Sequence, residues 1–139
     1  MKPAPFDYAR PSTLGGALAL LAADEDAKVL GGGQSLVPML NFRLARPTTL
    51  VDTRLLPELQ VLERRDGTLA IGAGVAQRVA ETSAEVAEAC PLLPRALHHV
   101  GHQQTRSRGT VGGSMAHADP AAELPAVALA LDATLVAAG

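Results

Sequence analysis

The sequence predicts an α+β fold in two parts: a small βαβ-like lobe over residues 1–53, and a second lobe over residues 54–139. Three observations carry this reading. Apolar runs at Lys28-Val29-Leu30 and Thr49-Leu50-Val51 bracket a glycine segment and a helical pattern, in the order strand, turn, helix, strand. Asp66-Gly67 stands between two strand-like runs, the type I′ hairpin signal, so the second lobe opens with antiparallel pairing. Helical stretches then follow, separated by Pro91.

Taken in order, Ser12 or Thr13 can cap a helix from Leu14 to Ala23, because a hydroxyl there accepts from a first-turn amide. Lys28 to Leu30 suits a buried strand. Ser35 is a good N-cap residue, Pro38 is tolerated in a first turn, and Leu36, Met39, Leu40 and Leu44 keep helical spacing. Thr49 to Asp52 completes the first lobe, and Arg54 to Leu59, with Pro57, reads as a linker. Leu59 to Glu63 and Thr68 to Gly72 form the hairpin. Glu85 to Cys90, Leu92 to Val100 and Ala121 to Leu131 are helical candidates, the last leading into a strand over Thr134-Leu135-Val136-Ala137. No internal repeat or low-complexity segment is present.

The chemistry points to two glycine segments, Leu30-Gly31-Gly32-Gly33-Gln34-Ser35 and Gly109-Thr110-Val111-Gly112-Gly113-Ser114. Either alone reads as a tight turn. Together they read as two phosphate cradles, since glycine lets backbone N–H groups approach an anion with no Cβ in the way. The first segment lies between a strand and a helix start, which aims free amides and a positive helix end at its ligand. A large anion such as a dinucleotide fits two such loops.

Familiar nucleotide motifs do not account for them. A P-loop needs Lys and then Ser or Thr after its glycines, but Gln34 and Ser35 follow Gly33. A Rossmann fingerprint needs a small residue where Leu36 or Gln77 stands, so Asp52 at the position of a ribose-binding acid reads as coincidence. His98 and His102 have i, i+4 spacing but no intervening Glu of a zinc motif, and Gly101 weakens that helix. Ser35, Ser107 and Ser114 lack a hydrolase G-x-S-x-G frame.

The chain closely resembles the FAD-binding medium subunits of molybdenum hydroxylases of the xanthine dehydrogenase and aerobic carbon monoxide dehydrogenase type. The resemblance runs from Phe6-Asp7-Tyr8-Ala9-Arg10-Pro11 through Gly31-Gly32-Gly33-Gln34-Ser35-Leu36-Val37-Pro38 and Arg46-Pro47. It ends on Arg106-Ser107-Arg108-Gly109-Thr110-Val111-Gly112-Gly113-Ser114 and Ala116-His117-Ala118-Asp119-Pro120-Ala121-Ala122-Glu123-Leu124-Pro125. It implies a p-cresol methylhydroxylase-type (PCMH-type) FAD-binding fold, with Gly31, Gly32, Gly33, Gln34, Ser35 and Leu36 as one wall of the FAD site. Thr110, Gly112, Gly113 and Ser114 form the other wall, and Asp119 matches an acidic position that bonds FAD hydroxyls. Gly31 stands where Ala is common and Ser114 where Asn is common, and neither change removes a backbone donor.

The resemblance also implies partners: a small subunit with iron–sulfur clusters, a large molybdopterin subunit, and NAD, oxygen or a quinone as electron acceptor. Members of that family continue well past the equivalent of Gly139, so the second lobe is expected to be incomplete and to expose Leu129, Leu131, Leu135 and Val136. A non-catalytic remnant without flavin, or an unrelated nucleotide-binding module, are the alternatives.

Composition agrees with one domain. The chain has 139 residues, 47% of them hydrophobic but only 2% aromatic, and a formal charge of −2, so its core is expected to be Leu, Val and Ala. The densest cationic cluster, Arg106 and Arg108, is too small for nucleic acid. Leu124 to Leu131 is too short to span a bilayer, and no cationic, apolar leader precedes the first helix, so the expected compartment is the cytoplasm. A single cysteine, Cys90, cannot ligate an iron–sulfur cluster unaided.

Overall fold

A computed structural model describes residues 1–139. Three parallel strands form the first sheet, β1 (Asp7–Ala9), β2 (Lys28–Leu30) and β3 (Thr49–Asp52), in the order β1-β3-β2. β3 is central because it alone is apolar on both faces: Leu50 and Val51 are buried, while β1 and β2 expose Tyr8 and Val29 at the edges. Helix α1 (Leu14–Ala23) begins at Thr13, whose Oγ1 accepts from Gly16 N–H at 3.1 Å, so Thr13 rather than Ser12 supplies the cap. The first core is Ala17, Ala27, Val51 and Leu56.

Helix α2 (Leu36–Asn41) is shorter than its apolar spacing predicts. Arg43 turns left-handed at φ 59°, and the N–H groups of Arg43 and Leu44 bond back to Leu40 O and Met39 O, a Schellman stop that leaves Leu44 in solvent. The Ser35 hydroxyl makes no capping bond. The expected linker contains a short 3-10 turn over Pro57–Leu59, and Glu58 accepts from Leu14 N–H at 2.9 Å, which ties it to the start of α1.

The second lobe opens as expected with an antiparallel hairpin of β4 (Leu62–Arg65) and β5 (Thr68–Ile71), turned by Asp66 at φ 50° and Gly67 at φ 80°. Six short helices follow: α3 (Gln77–Thr82), α4 (Ala84–Ala89), α5 (Leu92–Leu97), α6 (Gln103–Arg108), α7 (Val111–His117) and α8 (Glu123–Ala130). Their common core is Val75, Ala80, Val86, Leu93, Leu97, Leu124 and Val127. Every buried hydrophobic residue is thus Ala, Val or Leu.

Further features depart from the sequence reading: β2, expected as a buried strand, lies at a sheet edge with Val29 half-exposed. The second glycine segment is helical from Val111, and residues 134–137 form no strand. Asp132 turns left-handed after α8, and none of the amides of residues 134–137 meets another backbone group, so no ladder forms to hold them extended.

Candidate functional site

The two glycine segments meet. A Cβ on Gly31 would stand 2.8 Å from Thr110 Oγ1, and one on Gly32 would run into the Arg108 carbonyl oxygen and lie 2.5 Å from Gly109 Cα. Gly33 adopts φ 74°, a left-handed conformation that turns β2 into α2. In this first segment none of the amides from Gly31 to Leu36 donates a hydrogen bond within the chain. Gln34 instead folds its side chain back, Nε2 donating to Gly32 O at 3.2 Å. A half-exposed run of free N–H donors at the carboxyl edge of a parallel sheet is the donor set an oxyanion requires.

The second segment is built differently from the expected nest of free donors. Gly112 N–H bonds to Ala73 O at 3.0 Å, Gly113 N–H to Thr110 Oγ1 at 3.0 Å, and Ser114 N–H to Thr110 O at 3.2 Å. Thr110 is the N-cap of α7, and Val111 N–H with Gly112 N–H joins it to the Ala73–Val75 backbone. Gly112 is required for packing, since a Cβ there would strike Ala73. This segment is a rigid wall against which the donors of the first are held. Asp119 lies beyond the far end of α7, past the left-handed Ala118, and its Oδ1 accepts from Ala121 N–H at 2.8 Å.

Behind the wall stands a buried ion pair that no sequence spacing signals. Arg106 Nε donates to Glu81 Oε2 at 2.8 Å, with side chains 8% and 7% exposed, and Arg78 Nη1 reaches the same oxygen at 2.9 Å. The hydrogen bond from Arg106 outweighs the opposing effect of burial and, with that from Arg78, lowers the Glu81 carboxyl to about 2. Arg106 Nη1 also donates to Val100 O at 2.9 Å and Gly101 O at 3.3 Å. One guanidinium therefore fixes α3, the turn after α5, and the helix that delivers Thr110.

Asp52 has a structural task. It is 2% exposed and accepts from Tyr8 Oη at 2.6 Å and from Arg54 N–H at 3.0 Å, linking β1 to β3 beside the first glycine segment. Burial works against its ionisation, but the bonds from Tyr8 and Arg54 and the charges of Arg54 and Arg10 hold its carboxyl below the usual range. Tyr8→Phe is expected to cost about 1 kcal/mol, because the tyrosine is itself half-exposed. A depressed carboxyl stabilises the fold above its unfolded value and stops doing so as pH falls through its folded value, so the cost should shrink in acid. Denaturant titrations at neutral and acid pH measure this, and an equal cost at both would contradict it.

The chain matches the family described as FAD binding domain in molybdopterin dehydrogenase over residues 4–139. It belongs to this family. Among relatives of this FAD-binding domain, the 6-hydroxypseudooxynicotine dehydrogenase complex subunit alpha of Paenarthrobacter nicotinovorans is 49% identical over 99% of this chain and 47% of its own length. The caffeine dehydrogenase subunit beta of Pseudomonas sp. (strain CBB1) is 43% identical over 98% of this chain and 46% of its own. The carbon monoxide dehydrogenase structure from Hydrogenophaga pseudoflava superposes with a TM-score of 0.91 at 40% identity, covering 94% of this chain and 46% of that one. The α+β architecture is therefore the PCMH-type FAD-binding fold, and the chain spans about half the length of the curated relatives it matches. No helix is long and apolar enough to cross a membrane.

Proposed function

We propose that this chain holds FAD between its two lobes, residues 1–53 and 54–139, as the electron-transfer subunit of a molybdenum hydroxylase-type dehydrogenase. The observation that carries the reading is the run of unpaired amides from Gly31 to Leu36, held against Thr110 and Gly109 in a family of FAD-binding domains. When bound, FAD would supply the redox chemistry that links iron–sulfur clusters to NAD, oxygen or a quinone.

The chain's own residues bind and orient. The unpaired amides of Gly31, Gly32, Gly33, Gln34, Ser35 and Leu36 would donate to the pyrophosphate, Gly33 sets the turn, and Thr110, Gly112, Gly113 and Ser114 would form the opposing wall. Asp119, exposed past α7, would accept from FAD hydroxyls. No side chain here is asked to move a proton. The substrate is oxidised on a large molybdopterin subunit, an iron–sulfur small subunit relays the electrons, and the assembly works in the cytoplasm.

A second reading, a remnant that retains no flavin, draws on one observation. Leu129 and Val136 stand 84% and 92% exposed, with Leu131 and Leu135 also in solvent. One preparation separates the two. Under the first reading the purified protein is yellow with flavin absorbance and copurifies with an iron–sulfur protein and a molybdenum protein, and alone it oxidises no hydroxylase substrate. Colourless protein that binds an extrinsic hydrophobic dye and copurifies with neither partner would establish the remnant instead.

A further inference from the structure

Between the two lobes lies a cavity of about 340 Å³, lined in part by Arg54, Gln60, Ala76, Ser107, Arg108 and Thr110. Its two cations come from opposite sides. Arg54 follows β3 at the carboxyl edge of the parallel sheet, the edge outside which ligands of open α/β sheets bind, and Arg108 is the last residue of α6. No carboxylate lines the cavity. The Arg54 side chain reaches Asp52 only through Nη2, at 3.4 Å, and Arg108 forms no ion pair within the chain. Two guanidiniums with so little counter-charge inside the chain would be balanced by an anion in the cavity.

The remaining polar groups suit the same ligand. The buried Thr110 hydroxyl accepts from Gly113 N–H and so keeps its own proton to donate, whereas Ser107 Oγ already donates to Gln103 O at 2.8 Å. Gln60 is already engaged, its Nε2 donating to Arg54 O at 2.8 Å and steadying the arginine backbone. Two guanidiniums and one free hydroxyl donor suit an oxyanion and not a cation, and donors converging from both lobes suit one with oxygens on more than one side, such as a phosphoryl group. None of the residues from Gly31 to Leu36 lines this cavity, which shares only Thr110 with the second glycine segment.

We propose that this cavity is a phosphoryl-group site clamped by Arg54 and Arg108. The phosphoryl group is either part of the flavin nucleotide reaching between the lobes or part of a separate small phosphorylated molecule.

Calorimetric titration of the purified chain with inorganic pyrophosphate tests the site. Wild type is expected to bind, and Arg108→Gln and Arg54→Gln are each expected to weaken binding about tenfold. Should Arg54→Gln unfold because it also loses Asp52, Arg54→Lys keeps the charge without the planar guanidinium fork and is expected to weaken binding several-fold. Absence of binding by wild type, or unchanged affinity in Arg108→Gln or in the folded Arg54 variant, overturns the proposal. A repeat with FAD present identifies the source: displacement of pyrophosphate assigns the phosphoryl group to the flavin, and simultaneous binding assigns it to another molecule, the clamp standing in both cases. A chain that takes up no FAD yet binds pyrophosphate through these arginines would sink the flavin reading alone.

Discussion

Gly32→Ala is expected to weaken FAD binding by about a hundredfold or more, enough to leave the purified protein colourless. The new methyl group would run into the Arg108 carbonyl oxygen and stand 2.6 Å from its carbon, and both are backbone atoms that cannot swing aside. Relief requires the first glycine segment to withdraw from the wall, carrying its free amides away from Thr110. Gly32→Asp and Gly113→Asp add a carboxylate to the same crowding, the latter only 2.7 Å from Thr110 Oγ1, and should be at least as severe. Ser114→Asn keeps every backbone donor and should be mild. Gly15→Ala is the control, because a Cβ there meets nothing within 4 Å. Flavin absorbance per mole of protein after desalting reads the outcome, and a full equivalent of FAD in Gly32→Ala would contradict the site.

Arg106→Met is expected to cost about 3–5 kcal/mol, because it leaves Glu81 buried with only the half-exposed Arg78 and, at 3.6 Å, the exposed His98 ring beside it. A domain of this size has about 5–15 kcal/mol in all, so the loss should appear as a large fall in the denaturation midpoint. Replacing both partners, Glu81→Met with Arg106→Met, should restore most of it, since the penalty lies in the unbalanced charge. A cost below about 1 kcal/mol for the single change would show that solvent reaches the pair. The pH dependence carries the opposite sign to that of a buried base. Glu81 is lowered from 4.5 to about 2, so its contribution is complete above 4.5 and fades as pH falls from there toward 2. The difference between wild type and Glu81→Gln should close over that interval, as followed by circular dichroism.

Local patterns made much of this fold legible. Thr13, the Lys28 to Leu30 strand, the Thr49 to Asp52 strand and the Asp66-Gly67 turn each act within a few residues, and each is found where its chemistry places it. The Ala, Leu and Val core follows from a composition with almost no aromatic residues. What escaped depends on partners distant in the chain. β1 exists because Asp7, Tyr8 and Ala9 pair with Thr49, Leu50 and Val51 some forty residues on. The glycines of the second segment suggested a loop, but Thr110 caps them into a helix whose first amides are consumed by the backbone of Ala73 and Val75. Glu81 and Arg106 lie 25 residues apart with no periodic signature, and only burial makes them a pair. Asp52 was visible as an acid at a strand end, yet its partner Tyr8 arrives from a strand the residues alone did not announce.

The aromatic-poor core has an optical consequence. With no tryptophan and a single tyrosine, the polypeptide is nearly transparent in the near ultraviolet. Any sizeable band there, and all absorption in the visible, would belong to a bound chromophore, so a spectrum gives occupancy with little correction for protein. The lone phenol is also a placed reporter. Tyr8 emits from an edge strand against a carboxylate next to the first glycine segment, and its fluorescence should brighten when acid or Asp52→Asn removes that quenching anion. One fluorophore at one known position lets the parting of β1 from β3 be watched without a label.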